Sequence, residues 1–163
     1  MTPGHRWPPA LPPEALGAVV HGPVIIARSP GVVVGLRCVF AYPEGLRLPV
    51  VVVATGVHAE AAQRQRGYWG SPDGDLGEPP GSSWLLLDVQ VNGKEGEVEP
   101  FAEADSTGED RHVQESEYWI GELPDDGTLR LGAAWPQVGL APSAVTLALP
   151  GLREAAATAI PLP

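Results

Sequence analysis

The chain has 163 residues, of which 44% are hydrophobic and 18% are charged, and its formal net charge is −10. This composition argues against wholesale disorder and suffices for one domain with a sizeable core. The acidic balance argues against a nucleic-acid partner, because phosphate binding needs a concentrated cationic surface, and no apolar run approaches the roughly 20 residues of a membrane span.

Glycine and proline are frequent, with 20 and 19 residues, and they alternate with runs of valine and leucine. Turn-forming residues that separate short apolar runs in this way favour many short strands joined by tight turns. Cys38 is the only cysteine, so the chain offers no intrachain disulfide and no cysteine-based zinc site. Because Cys38 lies in an apolar run, we interpret it as a buried, inert thiol. The N-terminal sequence lacks the plan of a signal peptide, which predicts a cytoplasmic protein.

The first elements are a proline-rich segment and a strand. Residues 1–17 are expected to be extended, since proline fixes φ and disfavours helix in the residue before it. Residues 18–163 are predicted to form one domain, with a first strand at Val24–Ala27.

The clearest hairpin joins residues 32–42 to residues 46–55 through a turn at Pro43, Glu44 and Gly45. Alternation places Arg37 and Arg47 on one face of this pair, and we interpret them as candidate ligand or partner contacts. The opposite face is apolar and comprises Val34, Leu36, Cys38, Phe40, Tyr42, Leu46, Leu48, Val50, Val52 and Ala54.

Residues 58–66 contain neither glycine nor proline and are the best candidate for an interior helix. A turn-rich loop is expected from residue 67 to residue 83. Tyr68 and Trp69 lie at its start, and we interpret them as a candidate contact patch.

The second half of the chain predicts more strands. Residues 84–92 alternate between apolar and polar side chains and are predicted to form a strand. Asn92 and Gly93 predict a hairpin turn that leads to a weak edge strand at residues 96–101. Residues 103–114 are expected to form a mobile loop. The remaining predictions are a hairpin of Tyr118–Glu122 with Thr128–Trp135, a strand at Ala144–Leu149 and a short helix within Leu152–Ile160. Trp119 and Trp135 are expected in the core. Burial is less expected for Trp7, because its surroundings are proline-rich.

Seven or eight strands with such alternation predict an all-β fold. The expected architecture is an immunoglobulin-like sandwich of two antiparallel sheets with a short C-terminal helix. A closed β-barrel is the alternative, because the sequence defines strands better than their closure.

Charge is distributed unevenly. Residues 1–70 carry six basic and three acidic side chains, whereas residues 71–163 carry four basic and seventeen acidic ones. The stretch from Glu95 to Asp126 favours a solvated face, with a docking surface for a basic protein partner as the alternative. Its candidate contact residues are Glu103, Asp105, Glu109 and Asp110.

The sequence contains no complete catalytic motif. His58-Ala59-Glu60 matches the HxE of zinc deaminases, but no cysteine follows residue 38 to complete the zinc site. There is no phosphate-binding glycine loop and no serine elbow. We therefore predict no catalytic residue, no metal ligand and no cofactor, although a metal site that His58 or His112 joins in three dimensions stays open.

Four segments resemble a group of small uncharacterised actinobacterial proteins. They are GLRCVFAYPEGLRL (35–48), LLLDVQVNG (85–93), EYWIGELPDDGTLRLGAAWPQVGL (117–140) and LREAAATAIPL (152–162). The resemblance covers roughly half of the chain, and it implies a compact β domain without an assigned activity.

Three functional hypotheses follow from these patterns. The first is a non-enzymatic protein-interaction or accessory module, favoured by the missing catalytic motif and the acidic segment. The second is a small-ligand binder or enzyme with a cleft at the face of Arg37 and Arg47. The third is a self-assembling subunit that pairs through the weak edge strand at residues 96–101.

Overall fold

The computed structural model describes residues 5–69 and 85–163, with side chains described for residues 5–65 and 85–163. The described chain forms helices α1 (Gly56–Trp69) and α2 (Leu152–Ala156) and a 3-10 turn at Pro136–Val138. The first six strands are β1 (Ala15–Leu16), β2 (Ala18–His21), β3 (Val24–Ser29), β4 (Val32–Leu36), β5 (Val39–Tyr42) and β6 (Gly45–Thr55). The others are β7 (Leu86–Val91), β8 (Lys94–Val98), β9 (Ala102–Gly108), β10 (Arg111–Ile120), β11 (Thr128–Trp135), β12 (Leu140–Ala148) and β13 (Ile160–Pro161). None of the described helices is long and apolar enough to cross a membrane.

Most strands belong to two antiparallel sheets. The large sheet has β6 at its centre, with β10 and then β9 on one side. On its other side, β6 pairs with β4 through residues 50–54 and with β5 through residues 45–47. The small sheet has the order β12, β11, β7, β8. Because one hydrophobic core joins the two sheets, the predicted sandwich is confirmed, and neither sheet closes into a barrel within the described residues.

The core between the sheets follows the alternation of the strands. The inward-facing side chains of β6 and β7 are all buried, namely Leu46, Leu48, Val50, Val52, Ala54, Leu87, Val89 and Val91. Trp135 belongs to this core, as predicted, whereas Trp119 is buried on the other side of β10, with its ring centre 5.5 Å from that of Tyr42. Helix α1 extends the predicted helix at both ends, and its Ala59 and Ala62 join the same core. The helix therefore packs on the inner side of the large sheet.

The predicted strand at residues 32–42 is two strands rather than one. Phe40 lies opposite Arg47, which is one residue out of the register that Leu36 and Val50 set. Cys38 and Phe40, which were expected in the core, are consequently only half-buried. An extra residue between β4 and β5 exchanges the two faces of the strand, and a simple period of two does not reveal it.

The acidic stretch is more ordered than its composition suggests. Residues 103–114, predicted as a mobile loop, form β9, a tight turn and the start of β10. The predicted hairpin of Tyr118–Glu122 with Thr128–Trp135 is also wrong, since β10 and β11 belong to different sheets. The loop prediction failed because β9 is an exposed edge strand, whose polar residues meet no requirement for burial. The hairpin prediction failed because nearness in the sequence does not determine which strands pair.

The N-terminal segment attaches to the edge of β8. The Trp7 amide donates to the Glu97 carbonyl at 3.0 Å, and the Glu99 amide donates to the Trp7 carbonyl at 3.1 Å. Trp7 is only 6% exposed. Its burial was not expected from the sequence, because its neighbours are rich in proline. Gly96 permits this approach, because a Cβ atom at that position would overlap the His5 carbonyl.

The turn between β7 and β8 holds the segment that crosses between the sheets after β10. The Asp125 amide donates to Asn92 Oδ1 at 2.7 Å, and Lys94 Nζ donates to Glu122 Oε1 at 2.9 Å. Burial opposes the ionisation of Glu122, but hydrogen bonds from Lys94 and Asn92 outweigh it and hold its pKa below 4.5. An ionised Glu122 therefore contributes to holding this segment in place.

We expect Glu122→Gln to lower the melting temperature at neutral pH and to have a smaller effect at about pH 3. A carboxyl whose pKa is lowered by folding contributes stability above its unfolded pKa, and this contribution is lost as the pH falls through the folded pKa. Thermal unfolding followed by circular dichroism measures both values. Glu154→Gln, at an exposed position on α2, is the control. An equal loss at both pH values would contradict this assignment.

Gly96→Ala should detach the N-terminal segment and lower the free energy of unfolding by about 3 kcal/mol, the order of an uncovered core aromatic side chain. Urea denaturation checks the value. The matched control is Gly22→Ala, because a Cβ atom at Gly22 meets no atom within 4 Å. Equal stability of the two variants would rule out the proposed role of Gly96.

Candidate functional site

The large sheet carries aliphatic side chains on the side that points away from the core. Val33, Val53 and Val113 lie opposite one another across β4, β6 and β10. Val51 and Ile25 occupy the next row, on either side of Gly35. We define the outer sheet face as Ile25, Val33, Val51, Val53 and Val113.

The outer sheet face is accessible. Its four valines are half-buried, and Ile25 is 45% exposed. A sheet with one solvated side usually alternates apolar with polar residues, whereas strands covered on both sides are apolar throughout. Strand β6 is apolar on both sides from Leu48 to Ala54. This pattern makes the outer sheet face a candidate contact surface for another molecule.

Arg37 and Arg47, the arginines predicted as contacts, lie at one end of this face and form ion pairs with β10. Arg37 Nη2 lies 2.6 Å from Glu115 Oε1, and both side chains are 55% exposed. Arg47 Nη2 lies 2.5 Å from Glu117 Oε1 in a less exposed pair. The Arg47 guanidinium carbon also lies 5.7 Å from the centre of the Phe40 ring. The two arginines therefore border the face and do not converge on a shared ligand position.

Two further arginines border the opposite end. Arg28 lies opposite Val33, and Arg111 lies opposite Thr55. Both are exposed, and neither forms an ion pair within the described residues. Arg28 lies at the β3 edge of this end, whereas Arg111 adjoins the exposed acidic turn of Glu109 and Asp110. Positive charge is therefore concentrated at the β3 edge.

Two shallow depressions open on this side of the sheet. One has a volume of about 560 Å³ and lies beside Arg28, Val33 and Val53. The other has a volume of about 210 Å³ and lies between Arg37, Pro49 and the glutamates of β10. The outer side of the sheet is therefore not flat at these two places.

The four acidic residues predicted as contacts lie elsewhere. Glu103 and Asp105 belong to β9, whereas Glu109 and Asp110 form the turn into β10, and all four are exposed. Glu103 and Asp105 share the inner side of the sheet with the inward residues of β10. The structure thus places Arg37 and Arg47 on one side of the large sheet and these two acidic residues on the other.

A row of buried polar side chains lies on the inner side of β10. His112, Gln114 and Ser116 are at most 2% exposed. Both ring nitrogens of His112, Gln114 Oε1 and Ser116 Oγ have no hydrogen-bond partner within the described residues. We call these three residues the buried polar row. Burial also raises the pKa of Tyr118, the next inward residue.

Gln114 and Ser116 were not among the predicted site residues. The signal was the period of two in His112, Gln114, Ser116 and Tyr118, which identifies one side of a strand. The mobile loop predicted up to residue 114 concealed it.

His58 has a structural position. Its Nδ1 donates to the Val138 carbonyl at 2.8 Å, and a Cβ atom at Gly31 or Gly139 would approach its ring too closely. His58 therefore ties α1 to the turn after β3 and to the 3-10 turn. No group of three or more histidine, cysteine or acidic side chains in the described parts of the chain could hold a metal ion.

The remaining candidates add little chemistry. Burial raises the pKa of the Cys38 thiol, and the positive charges of Arg47 and Arg37 offset this only in part. The thiol therefore stays protonated at neutral pH and is a poor nucleophile. Tyr68 and Trp69 belong to the last turn of α1, and their side chains lie outside the described residues.

Comparisons with protein-family models, curated proteins and solved structures found no match to this chain. The resemblance to actinobacterial proteins therefore stays a prediction, and the function is argued from the surfaces themselves.

We expect Glu117→Gln to destabilise the protein by about 1.5 kcal/mol, because it leaves the half-buried Arg47 without its charged acceptor. The matched control is Glu115→Gln in the exposed pair, which should cost less than about 1 kcal/mol. Urea denaturation of both variants gives the comparison. A larger loss for Glu115→Gln than for Glu117→Gln would contradict the assigned geometry.

Proposed function

We propose that this protein is a non-enzymatic interaction module and that its outer sheet face binds a partner protein. The observation that carries the proposal is strand β6, whose apolar side chains face both the core and the outer side. Covering apolar surface contributes about 25 cal/mol for each Å² removed from water. The half-buried valines therefore favour association with an aliphatic surface.

The dimensions of the face support a transient complex. Strands β3, β4, β6, β10 and β9 lie side by side, and spacings of about 4.8 Å give a width of about 19 Å. Residues 47–55 of β6 span about 27 Å at about 3.4 Å per residue. The product is roughly 500 Å², compared with about 800 Å² per partner in a standard stable interface. An area of this size is typical of a transient complex rather than a permanent one.

The charged border indicates which kind of partner fits. Glu115 and Glu117 already neutralise the arginines at one end, and Glu109 and Asp110 adjoin Arg111 at the other, which leaves Arg28 as the positive charge at the β3 edge. A complementary surface is aliphatic in its centre and acidic along one edge. A second copy is less suitable, since its outer sheet face brings the same arginine at the β3 edge and each chain carries a net charge of −10.

The two alternative functions have weaker support. A ligand cleft at Arg37 and Arg47 would use a depression of about 210 Å³, below the roughly 300 Å³ at which ligand pockets begin. Self-assembly through residues 96–101 meets an edge that already carries hydrogen bonds to residues 5–7.

Val51→Lys should weaken binding of the partner at least about tenfold, which corresponds to about 1.4 kcal/mol, because it places a charge in the centre of the apolar surface. The matched control is Val57→Lys, where the valine is 69% exposed and belongs to α1, which packs on the inner side of the sheet. Circular dichroism establishes that both variants are folded.

Site-specific photo-crosslinking in cells that naturally produce the protein measures this effect. A benzophenone amino acid in place of Val53 should give one defined protein adduct, and the same group in place of Val57 should not. Val51→Lys should abolish the adduct. An adduct of twice the mass of the chain would identify a second copy, and identical patterns from both positions would overturn the proposal.

A further inference from the structure

We infer that the edge of β8 is a peptide-binding site, which accepts the N-terminal segment of a second copy in place of the chain's own. This inference does not depend on the outer sheet face. Strand β8 lies at the end of the small sheet, and in the described chain only residues 5–7 pair with its outer edge. Trp7 and Val98 form a parallel bridge there. The segment is therefore an added strand, which is one form in which sheet edges bind peptides.

Few contacts hold the N-terminal segment, and they are confined to three residues. The His5 amide donates to the Glu95 carbonyl at 3.3 Å, and Trp7 forms the two backbone hydrogen bonds to Glu97 and Glu99. Trp7 is also the one buried residue of the described range 5–14, and its ring centre lies 4.4 Å from that of His5. Because a short ladder and a single aromatic anchor hold the segment, it can open as a local unit while the two sheets stay folded.

The linker that follows the segment favours its reach to another molecule. Residues 8–13 include four prolines and form no backbone hydrogen bond with the described residues. Leu11, in the middle of the linker, is 79% exposed. A proline-rich linker of six residues spans about 19 Å at about 3.1 Å per residue and resists collapse. A detached segment therefore carries Trp7 away from the body of its own chain.

The charges of the segment and of the edge are complementary. The segment carries Arg6 and no acidic side chain, whereas the edge carries Glu95, Glu97 and Glu99. Lys94, the one basic residue of β8, already forms an ion pair elsewhere. Arg6 Nη1 lies 4.0 Å from Glu99 Oε1 in an exposed pair. This local attraction opposes the general repulsion between two chains that each carry a net charge of −10.

A second copy offers the detached segment an identical site, so exchange between two chains restores every contact that detachment breaks. Exchange replaces the hydrogen bonds already present on β8, unlike self-assembly that would add a strand to an occupied edge. The chain's own segment competes for the site at an effective concentration on the order of 1 mM. Exchange is therefore best measured when one chain offers a vacant site and another offers a released segment.

The test mixes two full-length variants. Trp7→Ala removes the anchor and leaves a vacant site. Gly96→Ala closes the site, because the added Cβ atom would overlap the His5 carbonyl, and it leaves a released Trp7. Size-exclusion chromatography with light scattering should detect roughly tenfold more dimer in the mixture than in either variant alone. The control mixes Gly96→Ala with the double variant Trp7→Ala, Gly96→Ala, which has no open site and should form no additional dimer.

A second measurement needs only the full-length Trp7→Ala variant and the peptide HRWPPALPP, which has the sequence of residues 5–13. The peptide should slow hydrogen exchange of the Glu99 amide roughly tenfold, because this amide donates to the carbonyl of Trp7 in the natural chain. The peptide HRAPPALPP should not slow it. In the natural chain HRWPPALPP should have little effect, since the site is occupied.

Circular dichroism establishes which variants are folded, and if Gly96→Ala does not fold, the peptide alone decides. A mixture of folded variants that is no more dimeric than the control would overturn the inference. Exchange at Glu99 that HRWPPALPP leaves unchanged, or that both peptides slow equally, would also overturn it. None of these results affects the crosslinks from Val53, so the proposed function is tested separately.

Discussion

Strand β6 is the element on which the rest of the structure depends, because three strands pair with it and its inner side forms the floor of the core. Its proline is compatible with this central position. Pro49 lies between the part of β6 that pairs with β4 and the part that pairs with β5. At this gap no ladder requires an N–H from residue 49, and the Pro49 carbonyl instead accepts a hydrogen bond from the Arg37 amide at 2.9 Å. The residue that would break an ordinary central strand therefore marks where the partner of β6 changes from β5 to β4.

The same strand connects the core to the proposed binding surface. Because adjacent side chains point to opposite sides, the run from Val50 to Ala54 supplies both the buried inner row and the valines of the outer sheet face. Strand β10 repeats this division, with Val113 and two ion-paired glutamates outside and the buried polar row inside.

Much of the fold could be predicted from the sequence, because alternation over Leu46–Ala54 and Leu85–Val91 directly reflects burial. The two-residue strands β1 and β13 are too short to give such a pattern. The phase change between β4 and β5 and the burial of Trp7 depend on contacts with distant residues. The candidate site was predicted only in part. Arg37 and Arg47 were correctly placed on the outer side of the sheet, but their pairing with Glu115 and Glu117 spans 78 and 70 residues, and no local pattern encodes it. The outer valines were overlooked because an uninterrupted apolar run was attributed to the core alone.

The most direct test of the central claim compares the accessibility of the outer sheet face in isolation and in the cell. In a Cys38→Ser background, Val53→Cys and Val57→Cys provide single thiols on the outer sheet face and on α1. If a partner covers the face, a membrane-permeable maleimide should label Val53→Cys in the purified protein and at least tenfold more slowly inside the cells that produce it. Val57→Cys should react at similar rates in both. Equal labelling of Val53→Cys in the two settings would mean that the face stays uncovered and would contradict the account.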